Sequence, residues 1–273
     1  MLDIVIILAK RSLHKHLTNI MSQAIHLSSI PTLPTTKISK EEAIIETIRL
    51  TKKLKEIQDK LHAQGKYSVL IILQGMDTSG KDNTVKNVFS GVNPAGCNVT
   101  SFKVPTQEEK AHHFLWRIAN ACPAKGMIHI FNRSHYEDIL VPKVNSLLSP
   151  KKLKVRCDEI NTFEMGLIMA DTILLKFYLN ISHIEQLKRL ESRKMDPTKR
   201  WKLNPEDTID IAKHSNFKKA YEYVFKNCSD SSPWQVIPAD KKWYKNYLIL
   251  DKIVNELKKY TIDYPTLKLK DIQ

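Results

Sequence analysis

Gly75, Met76, Asp77, Thr78, Ser79, Gly80 and Lys81 carry the spacing G-x-x-x-x-G-K within the stretch YSVLIILQGMDTSGKDNT. At that spacing, backbone N–H groups around the glycines and at the start of the next helix bind phosphate oxygens. The lysine reaches toward the terminal phosphates. The apolar run before the motif reads as a strand and KDNTVKNVFS after it as a helix, the context the motif requires. The alternative is a glycine turn that merely joins strand to helix, with Lys81 solvated. Glycine usage favours phosphate: the chain has only seven glycines, and Gly75, Gly80, Gly91 and Gly96 fall within one short stretch. Asp82 stands where such loops usually place a Ser or Thr to hold Mg2+, and Asp77 lies inside the loop. Carboxylates there repel phosphate unless a divalent cation intervenes, so the pair predicts dependence on Mg2+, or on Mn2+ in its place. Gly75, Met76, Ser79, Gly80, Lys81, Asp82, Asn83 and Thr84 are the candidate phosphate- and nucleotide-binding residues of this segment.

A second constellation, FNRSHYEDIL, follows the apolar run GMIHI. Its place matches the second acid-bearing strand of a phosphate-loop enzyme, but the strand ends in Asn132, whose amide can orient a metal-bound water or a phosphate. Arg133 is placed to grip a phosphoryl group, because a guanidinium fork matches phosphate oxygens. Glu137 and Asp138 supply acid a turn later. The plainer reading of Arg133 and Glu137 is a local surface ion pair. Asp77, Asp82 and Asn132 are the candidate metal ligands. A third constellation gathers Arg189, Arg193, Lys194, Lys199, Arg200 and Lys202 around Trp201 in a polar segment broken by Pro197 and Pro205. By itself such a run reads as a solvated face. Beside a phosphate loop it reads as a lid over about 193–215, with Arg193 swinging in to stabilise transition-state charge. Lys103 and Arg117 are candidates to line the phosphate path. The adjacent His112 and His113 point to different faces of a helix and make a poor metal pair. Trp116 reads as core, and Tyr221, Tyr223, Trp234, Trp243 and Tyr244 as packing residues.

Positioning these groups requires an alternation of strands and helices. Ser39 with Glu42 is a capping signal for an amphipathic helix that carries Ala43, Ile44, Ile48, Leu50, Leu54, Ile57 and Leu61 and closes near Gly65. YSVLIIL, VTSFKV, MIHIFN, TILLKFYLN and WQVIPAD read as five strands. TQEEKAHHFLWRIANA, KKLKVRCDEINTFEMGLIMA, SHIEQLKRLESRK and KKWYKNYLILDKIVNELKKY read as helices between and after them. That order predicts one α/β domain, a parallel five-stranded sheet with helices on both faces. The domain is expected over 29–262, with 1–28 an N-terminal extension and 263–273 a tail. Residues 1 to 20 read as lying outside the folded unit, as if translation began at Met21.

The 273 residues carry a formal charge of +14, a field that draws in polyanions such as nucleic acid, an anionic membrane or polymeric phosphate. LDIVIILA is too short to span a bilayer. Four widely spaced cysteines form no C-x-x-C pair, which fits reduced thiols in a cytoplasmic protein.

Taken in order, GMDTSGKD, GVNPAGCNVTSFKVPTQEE, FNRSHYEDILV, INTFE, RKMDPTKRWK and PWQVIPADKKWY resemble the polyphosphate kinase 2 family from about residue 29 to 260. The resemblance implies a P-loop kinase fold with a helical lid, related to that of nucleoside monophosphate kinases. It also implies Mg2+-dependent phosphoryl transfer between inorganic polyphosphate and nucleotides. By position, Asp77, Lys81 and Asp82 look like the family's Walker A site, Asn132 and Arg133 its Walker B site, and Arg193 its lid arginine. Many members carry Asp where this chain has Asn132. Asp77, Lys81, Arg133, Glu137 and Arg193 are then the candidate catalytic residues, and Lys103, Arg117, Arg133, Lys194, Lys199 and Lys202 the candidates for holding polyphosphate. Glu137 resembles the branch that accepts both nucleoside mono- and diphosphates, turning AMP into ADP and ADP into ATP reversibly. Members assemble as homodimers or homotetramers, and neither nucleic acid nor membrane is an expected partner. The alternatives are an ATP-dependent nucleoside monophosphate kinase and a nucleic-acid-binding P-loop protein. Against the latter, the sequence shows no helix-turn-helix and no stacking platform.

Overall fold

The computed structural model describes residues 25–203 and 211–266, apart from the Lys202 side chain; Met21 and the segment 204–210 fall outside the described residues. The first helix, α1 (Lys40–Gln64), begins with the expected capping box. Glu42 N donates to Ser39 Oγ at 3.1 Å, Ser39 N donates to Glu42 Oε2 at 2.8 Å, and the helix ends on Gly65 in the left-handed region at φ 61°. Leu50, Leu54, Ile57 and Leu61 are buried, but Ile44 and Ile48 are exposed, so the apolar stripe near the start of the helix does not enter the core.

Five strands, β1 (Ser68–Gln74), β2 (Cys97–Ser101), β3 (Ile128–Asn132), β4 (Thr172–Asn180) and β5 (Trp234–Pro238), form a single parallel sheet in the order β2-β3-β1-β4-β5. β1, β3 and β4 are buried along their whole length, which is why their sequences are continuous apolar runs rather than alternating ones. The edge strand β2 is largely exposed and ends at Ser101, three residues before the expected strand does. Lys176 breaks the apolar run of β4 yet is fully buried.

The remaining helices are α2 (Lys81–Val88), α3 (Gln107–Ala111), α4 (Trp116–Asn120), α5 (Glu137–Val144), α6 (Pro150–Met169), α7 (His183–Met195), α8 (His214–Asn227) and α9 (Lys242–Leu257). The helix expected over TQEEKAHHFLWRIANA is two short ones, because the chain at His112 turns to an extended ψ of 169°. Trp116 is accordingly not core: it is half-buried and stacks on His112 with ring centroids 4.2 Å apart. α8 is absent from the sequence reading. It buries Ala220, Tyr221, Val224 and Phe225 and takes in the end of the expected lid, just as α7 takes in its beginning. At the N-terminal side Leu27 is buried, and its N–H donates to Glu222 at 2.8 Å. The folded unit thus starts before residue 29, inside the expected extension.

Candidate active site

Adjacent parallel strands deliver two of the sequence constellations to one edge of the sheet. Leu73 of β1 pairs with Asn132 of β3, so the phosphate loop and the Arg133 segment leave the sheet side by side at its carboxyl end. Thr78 and Arg133 both take positive φ, 61° and 63°, without being glycine. Such backbone persists where the surroundings hold it: Thr78 Oγ1 donates to Gln186 O at 3.3 Å, while Arg133 faces a cleft beside the loop.

Across that cleft Arg133 Nη2 donates to Asp77 Oδ1 at 2.8 Å, and Asn132 Nδ2 donates to Asp82 Oδ1 at 2.7 Å. Each acid of the loop therefore meets a partner from the end of β3. Arg133 pairs with Asp77 across the cleft, rather than forming a local pair with Glu137 on the surface. Lys81 is buried and folds back on the loop, its Nζ donating to Gly75 O at 2.6 Å and Met76 O at 3.3 Å. Burial, reinforced by Arg133, pulls its pKa below the ordinary lysine value. The Ser79 hydroxyl is fully buried and makes no hydrogen bond, a donor left open inside the loop. Thr84 Oγ1 is tied back to Gly80 O at 3.1 Å, and Asn83 Oδ1 accepts from Asn246 Nδ2 at 3.4 Å.

Glu137 opens α5 behind Arg133. With its amide oriented to satisfy both ends, Gln74 donates to Glu137 Oε1 at 3.1 Å and to Tyr221 Oη at 3.2 Å. Burial pushes the Glu137 carboxyl up, with Arg133 and Lys81 opposing. Burial also works against the Arg133 charge, but Glu137 and Asp77 outweigh it and hold the guanidinium above its ordinary value.

A cavity of about 1030 Å³ opens from this cluster. Gly75, Met76, Asp77, Arg133 and Glu137 line it at the loop, and Lys103, Arg117 and Lys213 add positive charge along the walls. Val104, Pro105, Val141, Pro142, Trp201, Leu203 and Phe217 give it apolar surface. Arg117 is buried and fixed, donating to Lys103 O at 2.9 Å and Asp138 Oδ2 at 3.4 Å. The expected lid reaches the cavity through Trp201, Leu203 and Lys213. Arg193, Lys194 and Lys199 are not among its lining residues: Arg193 lies in the last turn of α7 beside Lys242, Lys194 pairs with Glu191 at 3.4 Å, and Lys199 pairs with Asp196.

Several supporting groups escaped the sequence reading. Gln186 Nε2 donates to Asp77 O at 3.0 Å while its Oε1 meets His214 Nδ1 at 2.8 Å, linking the loop to the start of α8. Beneath the Arg133 segment, Lys176 Nζ donates to Glu164 Oε2 at 2.7 Å, Cys228 O at 2.8 Å and Tyr136 Oη at 3.1 Å. Tyr136, His135 and Ser231 also bond Glu164. Burial alone would raise the Glu164 carboxyl, but Lys176 and His135 overcome it and bring it down to about 2. One signal was present in the sequence: a lysine in the middle of TILLKFYLN has to find a buried acid. Tyr221, read as packing, is buried but also faces the cavity.

The family model described as polyphosphate kinase 2 matches residues 37–265. The chain belongs to the polyphosphate kinase 2 family. It is thus a phosphotransferase with a P-loop kinase fold. An AMP/ADP-polyphosphate phosphotransferase of Meiothermus ruber is 42% identical over 227 residues, 82% of this chain and 85% of that protein. An ADP-polyphosphate phosphotransferase of Rhodopseudomonas palustris is 34% identical over 226 residues, 78% of each chain. Polyphosphate kinase 2 from Arthrobacter aurescens TC1, known from its crystal structure, superposes with a TM-score of 0.87 at 35% identity, covering 90% of both chains. For a Mg2+ ion, this polyphosphate kinase 2 chain offers the carboxylates of Asp77 and Asp82 and the amide oxygen of Asn132. These are hard oxygen donors of the kind Mg2+ takes, although Arg133 and Asn132 now engage the two acids.

Proposed function

We propose that the protein transfers phosphoryl groups between inorganic polyphosphate and nucleoside mono- and diphosphates, converting AMP to ADP and ADP to ATP reversibly and with Mg2+. The observation that carries this reading is the single cleft in which Asp77, Arg133 and Glu137 adjoin the phosphate loop at one end of a cavity with apolar walls. Phosphates fit the charged part, and a nucleoside fits among Trp201, Phe217 and Val104. The names of the Meiothermus ruber and Rhodopseudomonas palustris relatives support nucleotide acceptors of both lengths. Glu137 supports the assignment to a branch that uses mono- and diphosphates.

The loop amides and Lys81 hold phosphate oxygens, with Lys81 released from Gly75 O and Met76 O. Arg133 neutralises charge that develops on the transferred group, and Asp77 fixes its direction. The acceptor oxygen is already anionic, so transfer needs no strong base. Bound at Asp77, Asp82 and Asn132, Mg2+ would supply charge neutralisation between these acids and the phosphates. Arg193, in the last turn of α7, and Lys199, just beyond it, add to the positive field of the chain. The chain is proposed to act in the cytoplasm as a homodimer or homotetramer.

The test is to incubate the protein with Mg2+ and AMP or ADP, together with either polyphosphate or ATP, and to follow nucleotide products by chromatography. ADP and ATP should form from polyphosphate. Transfer from ATP to AMP but never from polyphosphate would point instead to an ATP-dependent monophosphate kinase.

A further inference from the structure

Three consecutive carbonyls of the phosphate loop are held from outside by two cations that the mechanism above does not use. Arg189 of α7 donates from Nη1 to Thr78 O at 3.0 Å and Ser79 O at 3.1 Å, and from Nη2 to Ala239 O at 2.8 Å and Asp240 O at 2.9 Å. Its Nε is tied to Glu185 Oε1 at 2.8 Å, so every N–H of the guanidinium is in use. Lys245 of α9, fully buried, donates to Gly80 O at 2.7 Å and to Asn83 Oδ1 at 3.4 Å. Gly80 O also takes Thr84 N at 2.9 Å.

In a trans peptide the C=O of one residue and the N–H of the next point in opposite directions. Fastening the carbonyls of Ser79 and Gly80 toward α7 and α9 therefore turns the N–H groups of Gly80 and Lys81 toward the concave side of the loop. We infer that Arg189 and Lys245 are positioning residues that hold the loop amides of this polyphosphate kinase 2 chain in phosphate-binding orientation before any ligand arrives. Gly80 is shaped for the same contact. Its φ of 96° lies in the left-handed region, and a Cβ there would sit 2.7 Å from Lys245 Nζ, so any side chain would displace the cation. The arrangement is also electrostatically unfinished. Lys245 is desolvated and crowded by Arg189, Lys242 and Lys81, with Asp82 the acid that opposes them, and its pKa falls to about 7. An anion in the loop would relieve that crowding.

This inference rests on residues 75–81 being a phosphate site. The test is isothermal titration of the full-length protein with inorganic tripolyphosphate, beside thermal melting of the free protein. The loss of a hydrogen bond from a charged group should reach the ligand only in part, through the loop, so Lys245→Met should weaken binding about tenfold. Melting should not fall, because the variant removes a buried, crowded cation, and Lys245→Arg should restore most of the affinity. A purely structural lysine would change melting and leave affinity alone. If Lys245→Met fails to fold, Arg189→Lys keeps the charge but gives up the fork on Thr78 and Ser79, and should weaken binding about threefold or more. Wild-type affinity in whichever variant folds overturns the positioning role and leaves the phosphate site standing. No binding by the wild-type protein overturns both.

Discussion

Replacing Asn132 by Asp isolates what the amide does at the loop. Asn132 Nδ2 donates to Asp82 Oδ1 at 2.7 Å, which gives one acid of the loop a hydrogen-bond donor. Asn132→Asp removes the donor and sets a second carboxylate against the first. Two unit charges about 4 Å apart repel by about 1 kcal/mol in water and about 4 kcal/mol at an effective dielectric of 20. Asn132 is buried but Asp82 is exposed, so the lower half of that range applies, about 1–3 kcal/mol including the lost hydrogen bond. For a domain of this size each kcal/mol shifts Tm by about 2–4 °C, which predicts a fall of about 2–12 °C in EDTA. A divalent ion bridging the two carboxylates should reverse the fall, so Mg2+ should raise the Tm of Asn132→Asp more than that of the wild-type protein. The assay is thermal melting of both proteins in EDTA and over a MgCl2 series. Equal melting in EDTA together with equal responses to Mg2+ would refute the idea that the amide replaces a metal-dependent contact at Asp82.

Asp77→Asn should lower kcat for polyphosphate-dependent ADP phosphorylation by orders of magnitude while leaving the circular dichroism spectrum unchanged; near-normal turnover would remove Asp77 from the chemistry. Glu137 titrates higher in the folded protein than in the unfolded chain, so the folded state retains the proton and loses stability as pH rises above about 4.5. Glu137→Gln should therefore melt higher than wild type at pH 7, by a margin that closes toward pH 4, while losing activity; a lower Tm at pH 7 would contradict the burial argument. Glu164 is the opposite case: its carboxyl is held at about 2, so its contribution is complete above about 4.5 and is lost as pH falls toward 2. Lys176→Met should strand that buried carboxylate and cost about 3–5 kcal/mol by urea unfolding at pH 7, and adding Glu164→Leu should recover part of it. A cost under about 1 kcal/mol would mean that the network is already loose.

Local signals carried the fold furthest. Ser39 with Glu42, the continuous apolar runs of β1, β3 and β4, and the glycines of the phosphate loop are fixed by neighbours a few residues away, and all lie where the pattern puts them. Ile44 and Ile48 failed because periodicity says which residues share a face, not where along a helix the covering element stops. TQEEKAHHFLWRIANA failed because its helical composition is overridden at His112. α8 was overlooked because its first residues, from His214, fall at the end of the basic, proline-broken segment read as the lid, and FKKAYEYVFKN after them was given no element.

The sequence by itself determined the parallel α/β order, the phosphate loop with its two acids, and the Arg133 segment that follows a neighbouring strand. These depend on hydrogen bonding and hydrophobic periodicity within short windows. Only the tertiary structure decided the pairing. Asp77 meets Arg133, 56 residues away, and Asp82 meets Asn132 because Leu73 and Asn132 share a register. It likewise turned Arg189 and Lys245 onto Thr78, Ser79 and Gly80 from helices about 110 and 165 residues distant. Such partners are chosen by the geometry of strand ends and crossing helices, and no spacing along the chain records which cation will face which carbonyl.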